Sequence, residues 1–229
     1  MTDSREASVR RPAVWATVLA LLFTGLLVWV ALNHGRPLSW DRTLHAAALQ
    51  HRAQWLIAAA KPVSVGIEVV AYTVSAVGGV LLLRPRSWWC GALVGVGALI
   101  VGQVLRVGLA ALIARGRPPR ADWAATAAGY SFPSGHTVSA TLAAGLLCLG
   151  LIRSVRSAWR PAGIAVAFCW AILDGVSRVY QGVHWPSDVL AGWLFGSVLI
   201  LLVAAVLATD RVGSWTASGS RRSSQPTVR

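Results

Sequence analysis

Three polar clusters interrupt an otherwise apolar sequence. They are Arg115-Gly116-Arg117-Pro118, Ser131-Phe132-Pro133-Ser134-Gly135-His136, and Ser177-Arg178 followed by His184 and Asp188. Their residue types suit an anion such as phosphate. Arg117 and Arg178 carry planar guanidinium forks that match phosphate oxygens. Ser134 and Gly135 stand where a helix is expected to begin, so unpaired backbone N–H groups and the positive dipole end face an anion there. Gly135 also permits close backbone approach. His184 can act as a nucleophile if a carboxylate fixes its tautomer. Pro186 suits a first helical position, which puts Asp188 in the first turn with its carboxylate turned back toward the imidazole. His136 is a second imidazole for the same pocket, able to protonate a leaving oxygen.

The elements that must position these residues are membrane helices. The chain is 55% hydrophobic with a mean hydropathy of +0.60, and only 13% of its residues are charged, against about 25% in a soluble domain. Apolar runs long enough to span a bilayer cover about Ala13 to Leu32, Val63 to Leu83, Trp88 to Ala114, the P-S-G-H stretch to Ile152, Ala162 to Arg178, and Asp188 to Ala208. The expectation is an all-α polytopic membrane bundle of about six transmembrane helices. Residues 1–12 read as a cytoplasmic N-terminal segment, 13–209 as one membrane domain, and 210–229, rich in Ser, Thr and Arg, as a disordered cytoplasmic tail. Arg10-Arg11 ahead of the first run fits a signal peptide. The run is long, however, and Val30 to His34 offers no small-x-small cleavage site, so a retained anchor is expected.

The net charge of +13 reads as topology rather than nucleic-acid binding, because the Arg residues sit between apolar runs and form no basic face. With the N-terminus in the cytoplasm, more basic residues fall inside than outside. All three polar clusters then lie on the extracytoplasmic side. Cys90, Cys148 and Cys169 lie in apolar runs without C-x-x-C spacing and suggest neither a disulfide framework nor a zinc site. No internal repeat is apparent.

The order R-P, P-S-G-H, S-R-x5-H-x3-D resembles the signature of the type-2 phosphatidate phosphatase superfamily. That group includes bacterial lipid phosphatases, undecaprenyl-diphosphate phosphatases and glucose-6-phosphatases, and is related to vanadium haloperoxidases. P-S-G-H alone is a weak signal, as is R-x5-H-x3-D alone; in order, at the ends of consecutive spans, they are specific. The motif-bearing stretch from Arg117 to Asp188 is about a third of the chain, and the six-span pattern extends the resemblance over most of it. The resemblance implies that His184 attacks phosphorus to form a phosphohistidine and that Asp188 orients it. Arg117, Arg178, Ser134 and the Gly135 amide would hold the equatorial oxygens. His136 would protonate the leaving group and then help activate water. It implies no metal and no other cofactor. The apolar surroundings favour a lipid phosphate or polyprenyl diphosphate substrate over a soluble sugar phosphate, and no nucleic-acid partner. The oligomeric state is not legible.

One position departs from the family pattern. Its first motif begins with a Lys, with six residues between it and R-P, and here that position is Ala110. Arg106 lies one turn earlier on the same helical face, roughly 6 Å along the axis. It either replaces the missing cation or pairs with an acid such as Glu68 and holds helices together. The missing Lys also supports a rival reading, a lipid-binding or transport protein that kept the pocket and lost turnover. Ser177 is a further candidate, and Asp174, four residues before Arg178, is placed to pair with it. Bland alternatives stand beside these. Arg117 and Arg178 also fit interfacial snorkelling, as do Arg115 and Arg120. Trp15, Trp29, Trp88, Trp89 and Trp185 read as interfacial anchors. Trp123 and Tyr130 lie beside the pocket, while His34, His45 and His51 fall in the first loop without usable spacing.

Overall fold

The computed structural model describes residues 3–83 and 87–222, with side chains for 13–58, 68–83 and 87–207. Among the described residues seven α-helices follow one another: α1 (Asp3–Leu32), α2 (Ser39–Gln50), α3 (Gln54–Leu83), α4 (Trp88–Ile113), α5 (Gly135–Ser154), α6 (Arg160–Tyr180) and α7 (Pro186–Arg222). A single 3₁₀ turn, Arg120–Asp122, lies in the α4–α5 connection. Five helices are long and apolar enough to cross a membrane, and α3 supplies a further apolar stretch, Glu68–Leu83. The fold is an all-helical, multi-pass membrane bundle. Its outer surface is apolar: Leu21, Val69, Leu112 and Val166 are all exposed, as expected where the surrounding solvent is lipid.

Helix ends follow the local sequence. Pro161 sits in the first turn of α6 and Pro186 opens α7, where a missing N–H costs nothing. Ala114 closes α4 in the left-handed region (φ 49°) and turns the chain out of the span. The α3–α4 pair packs on small residues. A Cβ built on Gly95 would stand 1.9 Å from the Ser75 carbonyl oxygen, and one on Gly79 would stand 2.1 Å from that of Gly91. Such contact lets van der Waals packing hold helices together where lipid removes the usual hydrophobic drive. Helix α5 is central, touching α3, α4, α6 and α7. Its Val138, Leu142 and Ala143 form a buried core with Ala71 and Leu99. Because consecutive spans alternate in direction, α1, α4 and α6 end, and α3, α5 and α7 begin, at one end of the bundle. The three polar clusters gather there.

Two features differ from the sequence expectation. Helix α2 falls in what reads as a plain first loop. It is too short to span and too mixed in composition to stand out. It is held against the bundle by buried polar residues, Asp41 and His45, and just beyond it Arg52 Nε donates to the Tyr180 carbonyl (3.1 Å). Helix α7 runs on to Arg222, into the stretch that composition reads as disordered, because extending an existing helix costs far less than nucleating one. Residues 223–229 of that expected tail lie outside the described residues.

Candidate active site

His184 sits in the short α6–α7 connection and is 2% exposed. Its two ring nitrogens have different partners. Nδ1 faces Asp188 Oδ2 at 3.4 Å, and Nε2 lies 2.9 Å from Arg117 Nη1. A guanidinium can only donate. Nε2 must therefore accept, which puts the imidazole proton on Nδ1, toward the carboxylate. Burial pushes the His184 pKa below its ordinary value; the hydrogen bond and charge of Asp188 oppose this, and Arg117 and Arg178 add to it. The ring is held as a neutral base with its lone pair at Nε2.

Arg117 is fixed by the chain around it. Its Nε donates to Gly129 O (3.0 Å), Nη2 to Ala128 O (2.8 Å) and Tyr130 O (3.1 Å), and Nη1 to Val183 O (2.9 Å) as well as to His184. Burial lowers its pKa, with Asp188 opposing and Arg106 adding to the effect. Arg178, at the end of α6, is buried, and its Nε and Nη2 both reach Ser177 Oγ at 3.3 Å. Arg106, Arg117, Arg178, Gly135, His136 and His184 all line one cavity of about 590 Å³. Helix α5 starts at this cavity, which Gly135 and His136 line, and the first N–H groups of a helix have no partner within it.

Arg106 shares the cavity and makes no ion pair among the described residues. Its Nε donates to Gln103 Oε1 (3.2 Å), and Gln103 in turn donates to Gly135 O (2.9 Å) and Ser139 Oγ (2.6 Å). A Cβ on Gly135 would lie 3.3 Å from the Arg106 guanidinium carbon, so Gly135 makes room for that cation. Glu68 is exposed on the cavity wall without pairing to Arg106, which removes the interhelical ion pair as the reason for Arg106. Ser134 is fully buried. Its backbone N–H donates to the Asp188 carbonyl (3.0 Å) and its Oγ accepts from Thr137 (3.0 Å). It thus ties α5 to α7, and Gly135 rather than Ser134 lines the cavity. Asp174 is buried one turn before Arg178, and neither carboxylate oxygen has a hydrogen-bond partner, so its coupling to Arg178 is charge to charge without a hydrogen bond.

Three residues were misjudged in the sequence. Arg115, expected at the interface, is fully buried. Its Nη1 donates to Asp188 Oδ1 (2.5 Å) and Ser187 Oγ (2.7 Å), and its Nη2 to Asp41 Oδ2 (2.7 Å). Trp185, expected as an interfacial anchor, is also buried. It donates Nε1–H to Gly116 O (3.1 Å) and packs its ring 5.1 Å from that of His45. His45 itself reaches Asp122 Oδ2 at 3.1 Å. Among the described residues, no group of three or more His, Cys, Asp or Glu is gathered as a metal site requires.

The chain is similar in sequence and fold to known proteins. The family model of the PAP2 superfamily matches residues 89–211. Phosphatidylglycerophosphatase B of Bacillus subtilis (strain 168) is 29% identical, with the match covering 80% of this chain and 91% of that protein. An undecaprenyl-diphosphatase of Sulfolobus acidocaldarius is 39% identical over 36% of each chain. A lipid A 1-phosphatase of Rhizobium johnstonii is 36% identical over 52% of this chain and 49% of its own length. The matched stretch therefore spans about a third of the Sulfolobus relative and half of the Rhizobium one. The crystal structure of the transmembrane PAP2 type phosphatidylglycerolphosphate phosphatase from Bacillus subtilis superposes with a TM-score of 0.67 at 26% identity, covering 82% of this chain and 93% of that one. With R-P, P-S-G-H and S-R-x5-H-x3-D drawn to one cavity and the family model running over more than half of its length, the chain belongs to the PAP2 superfamily.

Proposed function

We propose that this chain is a membrane phosphoric ester hydrolase that cleaves a lipid phosphate or polyprenyl diphosphate through a phosphohistidine at His184, without a metal ion. The observation that carries the reading is the fixed imidazole: its Nδ1–H faces Asp188 and its Nε2 lone pair faces the cavity arginines. In the first step Nε2 attacks phosphorus. The N–P bond forms, the bond from phosphorus to the leaving oxygen breaks, and His136 gives that oxygen its proton. As Nε2 gives its lone pair to phosphorus, the Arg117 Nη1–H that it had accepted turns to a phosphoryl oxygen. In the second step water attacks the phosphohistidine, its proton passes to His136, and the P–N bond breaks to release phosphate. Charge on the transferring group is met by Arg117, Arg178 and the first N–H groups of α5. Ser177 steadies the Arg178 fork.

Arg106 serves in place of the Lys that the family carries at position 110. It lines the cavity, packs over Gly135 and has no carboxylate partner among the described residues. The substrate classes follow from the relatives, whose names specify phosphatidylglycerophosphate, undecaprenyl diphosphate and lipid A. In this reading the N-terminus and the end of α7 are cytoplasmic and the cavity opens at the extracytoplasmic face; reporter fusions to the two ends and to the α4–α5 connection test that orientation.

Phosphate release by detergent-solubilised protein in EDTA, over a panel of glycerolipid phosphates, polyprenyl diphosphates and lipid A, tests the chemistry. Wild type should turn over at least one class, and His184→Ala should fall to background. An alkaline quench should trap labelled phosphate on wild type alone. Equal turnover by His184→Ala would refute the mechanism. No turnover of any substrate by folded wild type would favour the lipid-binding alternative that the absent Lys suggests.

A further inference from the structure

Helix α2 contributes a carboxylate to the ground beneath the nucleophile. Asp41 is fully buried, and every group that reaches it is a donor. Oδ2 accepts from Leu38 N–H (3.0 Å), Arg115 Nη2 (2.7 Å) and Ser187 Oγ (2.7 Å), and Oδ1 accepts from Ser187 N–H (2.9 Å). Asp188 is likewise surrounded by donors: Arg115 Nη1, Trp185 N–H and His184 Nδ1. Two acceptor-only carboxylates therefore flank one guanidinium, and the side chains of both ion pairs are inaccessible to solvent. Had Arg115 met Asp188 alone, its charge would cancel the carboxylate that His184 leans on. Asp41 takes the other edge of the fork, and the triad as a whole keeps one negative charge.

We propose that Asp41 is an electrostatic positioning residue for the nucleophile, returning to the buried Asp41–Arg115–Asp188 cluster the negative charge that faces His184 as positive charge builds on its ring. This rests on the phosphohistidine reading, in which the imidazole gains a bond at Nε2 while keeping its Nδ1 proton and so becomes cationic. A net charge of minus one stabilises that cation in a site shielded from water; a neutral cluster does so far less. Ser187 links the guanidinium to Asp41 through its hydroxyl, accepting from Arg115 Nη1 and donating to Asp41 Oδ2, without changing the charge.

The test compares the pH dependence of kcat/KM for wild type, Asp41→Asn, Asp41→Glu and Ser187→Ala on whichever panel lipid wild type hydrolyses best, with size exclusion in detergent to confirm folding. The substrate's own titration is common to all four. Other charged and titratable groups stay unchanged: Asp188 on α7, Arg117 after α4, Arg178 on α6, Arg106 on α4, His136 on α5 and Glu68 and Tyr72 on α3 face His184 or its cavity, Arg115 lies beneath them, and His45 on α2 packs against Trp185. Asp41→Asn should lower kcat/KM roughly tenfold to a hundredfold and move the acid limb down by about one pH unit, the size expected of one unit charge roughly 10 Å away at an effective dielectric near 20. Asp41→Glu and Ser187→Ala should keep the limb where wild type has it, whatever they do to the rate.

An unmoved limb in folded Asp41→Asn overturns the inference, leaving Asp41 a structural brace. So does an equal displacement in Ser187→Ala. If Asp41→Asn yields no folded protein, Asp41→Glu decides, since it keeps the charge and lengthens the arm: a wild-type limb supports the proposal and a displaced one refutes it. His184→Ala separates the two levels. If it turns over like wild type, the nucleophile reading itself has failed; if it is inactive and the Asp41→Asn limb stays put, only the role of Asp41 has.

Discussion

Replacing Asp188 by Asn changes one oxygen to an amide, and the surroundings leave that amide no comfortable orientation. With the Asn oxygen on the Oδ2 side, it still accepts from Trp185 N–H and His184 Nδ1–H, but its NH₂ then faces Arg115 Nη1, where Oδ1 now stands 2.5 Å away. With the amide flipped, NH₂ faces Trp185 N–H and Nδ1. The ring proton must then move to Nε2, against the Nη1 donor of Arg117 and onto the atom that should attack phosphorus. Either arrangement buries opposed donors, at about 1–3 kcal/mol for each unsatisfied group, and removes the charge that stabilises the imidazolium. A total of about 3–5 kcal/mol lost from the transition state corresponds to roughly 10²- to 10⁴-fold in kcat. KM should change little, because Asp188 faces the nucleophile and not the cavity arginines. Phosphate release in detergent, together with phosphoenzyme trapped in an alkaline quench, measures both the rate and the step affected. A kcat within about tenfold of wild type would mean that the carboxylate neither selects the tautomer nor stabilises its cation, and the reasoning would fail.

Other substitutions probe separate parts of the site. Arg106→Ala should lower kcat/KM by roughly 10- to 100-fold with normal yield, and Arg106→Lys should recover part of the loss; a fall in yield with normal turnover would make Arg106 structural. Because burial holds His184 below its ordinary pKa, and protonation removes its attacking lone pair, the acid limb of kcat/KM should fall below about pH 6.5; a limb above neutrality would contradict the buried, neutral ring. Gly182 has φ +73°, and a Cβ there would lie 2.2 Å from the Asp122 carbonyl oxygen. Gly182→Ala should therefore displace the connection that carries His184 and lower kcat more than the melting temperature. Gly95→Leu should instead force α3 and α4 apart, costing several degrees of melting temperature in detergent.

The motif residues that line the cavity were legible because they lie at helix ends in short, ordered motifs, and because alternating spans must return those ends to one side. What escaped the sequence was the support beneath them. Asp41 and Arg115 stand 74 positions apart, and an ion pair across that separation leaves no local spacing to recognise. Helix α2 carries too few apolar residues to register as a span, so Asp41 and His45 read as loop residues. Trp185 fits the composition of an interfacial belt, and only its contact with His45 and Gly116 reveals it as a wall of the site. That an Arg stands at 106, one turn before the Ala at the family's Lys position, was visible as a helical offset. That Glu68 does not claim this Arg required the coordinates.

The matched family region, residues 89–211, contains every motif side chain and omits α1, α2 and α3. A protein trimmed to that region would keep R-P, P-S-G-H and S-R-x5-H-x3-D yet strand Arg115 with a single carboxylate in its interior. Its guanidinium would then neutralise the one group meant to sustain the nucleophile. If Asp41 acts as proposed, the smallest working unit is longer than the recognisable one and includes α2.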